Sequence, residues 1–165
     1  MQRTDPECIN PASLDLRLGR EIMLEMPESG AVIDYRKRQP LAMQTYSLAD
    51  EGIIIQPGQF FLAHTIEICN FPDDLAALFR IKSSMGRIGL EHMDAGFVDP
   101  GFHGSLTLEF KNMTEYHSIH LRPGDRIGQL VFLRGEAVAA EQSYAVKGNY
   151  SGHSGVAQIG YRETT

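Results

Sequence analysis

IKSSMGRIGLEHMDAGFVDPGFHGSLTLEF, running from Ile81 to Phe110, is the stretch whose reading decides the fold. Asp99-Pro100-Gly101 is a tight-turn signal, because Pro presets φ and Gly tolerates the turn's unusual backbone. Ser105 to Lys111 follows it with apolar and polar residues in alternation, the period of a half-buried strand. The same grammar extends in both directions. Short β-branched or alternating runs occupy Ser13 to Leu18, Ile53 to Ile55, Phe60 to Glu67, Ile119 to Leu121 and Ile127 to Phe132. Turn signals at Gln56-Pro57-Gly58 and Arg122-Pro123-Gly124-Asp125 separate them. Many short strands at such spacing predict an all-β sandwich or barrel. Helical signal is confined to one turn over Ser83 to Gly89. Pro72 to Leu78 reads as a turn or a strand entry.

A chain of 165 residues with 42% hydrophobic content fits one domain, spanning 1–165. Gly148 to Gly155, GNYSGHSG, is too rich in Gly and Ser for a regular element, so 148–165 reads as a flexible C-terminal tail. The net charge is −6, from 21 acidic and 15 basic residues. A broad nucleic-acid surface needs a basic stripe, so no nucleic acid is expected as partner. Apolar runs such as Ala76 to Phe79 fall far short of the roughly 20 residues of a membrane helix, and no membrane association is expected. MQRTDPECIN carries no apolar signal core, which leaves a cytoplasmic protein as the expectation. The two cysteines, Cys8 and Cys69, form no CxxC. The His/Cys-x-Glu and Pro-Cys-x-x-Cys pattern of the zinc-dependent nucleobase deaminases is missing. The six histidines show no HxH or HExxH spacing, so no protein-held metal and no zinc are expected.

The opening stretch carries three chemical signals. Ser83 and Ser84 begin a helical turn, where hydroxyls and backbone N–H groups can seat an anion. Arg87 lies one turn on and can close over the same anion. Asp94 and Asp99 bracket a Gly-rich apolar hairpin, Ala95-Gly96-Phe97-Val98, whose backbone can approach a ligand closely. In Leu106-Thr107-Leu108-Glu109-Phe110, leucines on one face leave Thr107 and Glu109 on the other. A glutamate in so apolar a strand is a candidate general acid/base, because partial burial raises a carboxyl pKa.

Taken in order, five blocks resemble the dCTP deaminases of the dUTPase superfamily. They are INPASLDLRLG from Ile9, SSMGRIGL from Ser83, AGFVDPGF from Ala95, LEFKN from Leu108 and LRPGDRIGQL from Leu121. The resemblance implies a distorted β-barrel or jelly roll of the dUTPase-like type, assembled as a homotrimer with sites between subunits. It implies hydrolytic, zinc-independent deamination of a deoxycytidine nucleotide, dCTP, to dUTP and ammonia. Carried over position by position, Glu109 matches the proton-shuttling glutamate. Ser83 matches the serine that contacts phosphate and helps hold the reactive water. Ser84 matches a second phosphate-contacting serine. Arg87 matches the arginine touching phosphate and the catalytic region. Asp99 matches the hairpin aspartate near the deoxyribose, which activates water in dUTPase relatives. Gln129 matches a residue facing the triphosphate. The same resemblance puts Lys82, Ala95, Gly96, Phe97, Val98, Thr107, Tyr144, Lys147, Tyr150 and His153 against the substrate. Mg2+ is implied through the nucleotide phosphates rather than a protein cage.

Where single-function deaminases often read Ala-His-Arg, this chain reads Ala95-Gly96-Phe97. That version resembles the bifunctional branch, which also releases pyrophosphate to give dUMP. Where the family often has Lys-Tyr, the chain has Asn149-Tyr150, with Lys147 upstream, which leaves a shift toward dCMP open. Two further readings stand beside the deaminase: a dUTP pyrophosphatase acting on deoxyuridine nucleotides without deamination, and a non-catalytic nucleotide sensor. Glu109 separates the first pair, since plain dUTPases usually place an apolar residue there.

Overall fold

The computed structural model describes residues 5–27 and 32–159. Its ten strands are β1 (Leu14–Glu25), β2 (Met43–Ser47), β3 (Ile53–Ile55), β4 (Phe60–Asn70), β5 (Leu75–Ile81), β6 (Leu90–His92), β7 (Phe97–Val98), β8 (His103–Asn112), β9 (Ile119–Leu121) and β10 (Arg126–Arg134). Two short helices, α1 (Ser83–Arg87) and α2 (Tyr144–Lys147), complete it. Eight strands form one antiparallel sheet, ordered β6-β8-β4-β1-β10-β5-β7 with β2 on β1, and β3 pairs β9 separately.

The sheet curls into a half-barrel. β1 pairs with β10 through Leu14–Arg17 and with β4 through Leu18–Leu24, with register breaks at Leu16/Arg17 and at Leu18/Ile22, the kind of irregularity that lets a strand bend. β6 ends the strand order on one side, and β5 lies next to the last strand, β7, on the other. Even so, the Phe79 ring on β5 and the His92 ring on β6 sit 4.7 Å apart. The core fills the curl. Phe61 stacks on Phe110 at 5.4 Å, and Phe79 meets Phe110 edge-on at 6.5 Å. Leu16, Leu18, Ile22, Leu108 and Leu130 are almost fully buried with them. Each such side chain contributes roughly 1.5–3 kcal/mol by leaving water. Cys8 and Cys69 are buried free thiols.

The expected strands are present, generally longer than the sequence pattern drew them. Ser83–Arg87 is the expected helical turn, and Pro72 leads through a turn into β5. Three strands were not expected. β2 is mostly exposed and polar, so it has no apolar alternation; its extended backbone comes from pairing with β1. β6 and β7 are three and two residues long, too short for a period to register. The described part of the expected tail, up to Ile159, has definite partners. His153 bridges Gly104 in parallel register, and the Ser105 N–H donates to the His153 carbonyl at 3.1 Å. Among the described residues, no helix is long and apolar enough to cross a membrane.

Candidate active site

A cavity of about 610 Å³ opens on one face of the curl. Strand alternation builds its wall. β8 buries Leu106, Leu108 and Phe110 and leaves Thr107 and Glu109 half-buried between them. The hairpin Ala95–Asp99 forms a second wall, with Val98 buried and Phe97 exposed. It is held close to β5: the Phe79 N–H donates to the Gly96 carbonyl at 2.7 Å. A Cβ on Gly96 would stand 2.6 Å from the Phe79 carbonyl oxygen, so only glycine allows this approach. The third wall comes from the C-terminal segment, through Tyr144, Tyr150, His153 and Ala157–Ile159.

Glu109 is the most unusual group here. Its side chain is 30% exposed, and burial raises its pKa from the ordinary carboxyl value. Asp99, on the same cavity, is raised for the same reason. Such carboxyls are poised to exchange protons nearer neutrality. Behind Glu109 stands His92, buried, with Nε2 3.6 Å from Glu109 Oε2. Burial lowers the His92 pKa, which favours the neutral ring. The sequence reading missed His92. The available signal was Leu90-Glu91-His92, whose alternation turns His92 inward.

Thr107, Ala95, Gly96, Phe97, Val98, Asp99, Tyr144, Tyr150 and His153 all line the cavity with Glu109. The Thr107 hydroxyl accepts from the Ala157 N–H at 3.0 Å, so the C-terminal segment lies directly on it. Tyr144 packs on Phe102, with ring centroids 5.6 Å apart. Burial raises its phenol pKa against the Tyr150 backbone contact. Lys147 stands apart, on a smaller cleft of about 300 Å³ that shares Asp99 and Tyr144.

The remaining assigned residues do not join this cavity. Ser83, Ser84 and Arg87 are exposed on α1, and none of them lines it. The Lys82 ammonium is committed to Asp15 at 2.5 Å. Asp15 is fully buried and is further held by Asn10 Nδ2 at 2.8 Å and Arg126 at 3.7 Å, as a buried charge requires. Gln129 pairs with Asp15 across β1 and β10 and accepts from the Ser13 hydroxyl at 3.3 Å. The glutamate and the expected phosphate seat are therefore on separate surfaces of one chain. Among the described residues, no group of three or more His, Cys, Asp or Glu side chains is placed to hold a metal ion.

Residues 1–135 match the dCTP deaminase-like family. The chain belongs to that family. It is 43% identical over 136 residues to the "dCTP deaminase, dUMP-forming" of Kocuria rhizophila, covering 81% of this chain and 70% of that protein. It is also similar to the crystal structure of the 2'-deoxycytidine 5'-triphosphate deaminase of Agrobacterium tumefaciens, with a TM-score of 0.63 and 27% identity. That match covers 84% of this chain and 44% of the Agrobacterium chain, so this chain spans less than half of it. The dUTPase of phage 80alpha shares the fold alone, at a TM-score of 0.51 and 15% identity over 86% of this chain and 88% of that one. Membership of the dCTP deaminase-like family fits a cavity wall that carries the half-buried Glu109, whose pKa burial raises.

Proposed function

We propose that this protein deaminates dCTP by direct attack of water at cytosine C4, with Glu109 as the proton carrier, and goes on to dUMP. The observation that carries this reading is Glu109 itself: a half-buried carboxyl with a raised pKa, on a cavity wall facing the Ala95–Asp99 hairpin. Family relatives named for forming dUMP from dCTP support it.

The chemistry needs no protein-held metal. The Glu109 carboxylate takes a proton from water as its oxygen bonds to C4. The C4=N3 electron pair moves to N3, which takes that proton from Glu109; Glu109 then takes the second proton from the C4 hydroxyl and passes it to the amino nitrogen, so ammonia leaves as the C4 carbonyl of the uracil ring forms. Charge developing on the ring needs fixed donors, the role assigned to Ser83 and Arg87. Both lie outside the cavity of their own chain, which supports a homotrimer in which a neighbour's α1 completes each site. Mg2+ would arrive on the nucleotide phosphates, in keeping with its preference for phosphate oxygens and water over a protein cage. Asp99, raised by burial on the same cavity, favours a second step: activation of water for pyrophosphate release.

The test is incubation with dCTP, dCMP or dUTP plus Mg2+, with separation of ammonia, dUMP, dUTP and pyrophosphate. The expected result is ammonia, dUMP and pyrophosphate from dCTP. Pyrophosphate from dUTP with no ammonia from dCTP would replace this reading by a plain dUTP pyrophosphatase. Ammonia from dCMP alone would move the substrate. No turnover of any of the three would leave a nucleotide sensor.

A further inference from the structure

The contact between His92 and Glu109 has features that packing alone does not account for. His92 Nε2 and Glu109 Oε2 are both fully withdrawn from solvent, and among the described residues neither has a hydrogen-bond partner. They face each other at 3.6 Å. The described neighbours on this side are apolar. Phe79 lies 4.7 Å from the His92 ring and Phe110 lies 5.5 Å from it, both tilted against it, and Leu62 stands opposite Glu109 in the sheet. A residue that only filled this space would need no ring nitrogen. The separation is longer than an ordinary hydrogen bond of about 2.9 Å, so the bond proposed below requires the Glu109 carboxyl to move toward the ring.

We propose that His92 is the positioning residue for Glu109, donating its Nε2–H to Oε2 and so turning the other carboxyl oxygen toward the cavity. Its purpose rests on the deaminase reading above; the contact itself does not. The polarity follows from the proton cycle. The carboxylate accepts from Nε2–H. Once protonated on the cavity side, it still presents Oε2 as a carbonyl acceptor to the same N–H. One neutral tautomer of His92 therefore serves both halves of the reaction. The bond is stronger to the charged form, which keeps the carboxyl available as a base despite its apolar setting. Several other ionisable groups act on this pair. Glu91 and Asp94, on β6 and the loop after it, favour a protonated ring, and Arg80 on β5 opposes one. Lys111 lies opposite Glu91 in the sheet, and Asp99, Tyr144, Tyr150 and His153 share the cavity.

The test is carbon-13 NMR titration of the Glu109 carboxyl, identified as the glutamate signal lost in Glu109→Gln. Wild type, His92→Phe and His92→Gln are compared, with ammonia release from dCTP followed alongside. Phe keeps the ring packing without a donor, and Gln restores an N–H. In His92→Phe the Glu109 titration should move up by roughly one unit. The kcat should fall about tenfold or more with KM within about twofold, and the acid limb of the pH profile should rise with the titration. Gln should bring each readout back toward wild type. An unmoved Glu109 titration in His92→Phe would overturn the proposal, as would an activity loss that follows melting temperature and is not rescued by Gln. Nitrogen-15 NMR of His92 in the wild type tests it without any variant: the Nε2–H tautomer is expected, and the Nδ1–H tautomer overturns it. Should the wild type release no ammonia, the deaminase reading fails while both NMR experiments still decide the contact.

Discussion

At the scale of the residue, the burial that raises the Glu109 pKa costs stability. Its pKa is held above the ordinary value of 4.5 by burial. Below that value the acid is neutral in folded and unfolded chains alike, and the carboxyl costs nothing. As pH rises through the ordinary value toward the raised folded one, the unfolded chain releases its proton first, and stability falls. Glu109→Gln should therefore melt higher than wild type at pH 8, by about 2–4 °C. The difference should close as pH falls toward 4, and calorimetry across that range checks it. Asp99→Asn should cut pyrophosphate release from dUTP by about 10²–10⁴-fold and leave more of the ammonia release from dCTP intact. A parallel loss of both products would give Asp99 a binding role instead. Glu109 was legible in the sequence because Leu106, Leu108 and Phe110 alternate around it. His92 was not, because its strand is three residues long and its meaning arises only when β6 curls round to meet β8 and β5.

At the scale of the element, legibility followed burial. β4, β8 and β10 carry alternating apolar faces and could be read directly. β2 is extended because β1 offers it an edge, and no local pattern announces that. The composition of 148–155 suggested a mobile tail, and composition is blind to the backbone partners that β8 supplies. Gly104 shows how tightly they fit. It has φ +139°, and a Cβ there would lie 2.5 Å from the His153 carbonyl oxygen. Gly104→Ala should push the C-terminal segment off β8. Amide exchange at Ser105, Gly155 and Ala157 should then speed up at least about tenfold, since each is held by a bond to or from this segment. Unchanged exchange in that variant would show that the segment is held by something other than this close approach.

At the scale of the whole molecule, one chain separates what the proposed chemistry joins. Glu109 and Asp99 face the cavity, while Ser83, Ser84 and Arg87 sit on α1 outside it. Exposed apolar side chains, among them Ile88, Phe97, Met113 and Phe132, are the kind of surface that association covers. A homotrimer with sites between copies makes a sharp prediction. Glu109→Gln and Arg87→Ala should each be nearly inactive alone. Co-expressed in equal amounts, they should recover about a quarter of wild-type activity, because random cyclic assembly pairs an intact Glu109 with a neighbour's intact Arg87 at that frequency. Sites contained within one chain would recover nothing. The central claim, that Glu109 moves the proton in deamination of dCTP, is met most directly by measuring ammonia from dCTP and Mg2+ with wild type and Glu109→Gln side by side. The account predicts steady ammonia release from wild type and a loss of about 10²–10⁴-fold in a folded Glu109→Gln protein. Equal release from the two proteins, or none from wild type, would contradict it.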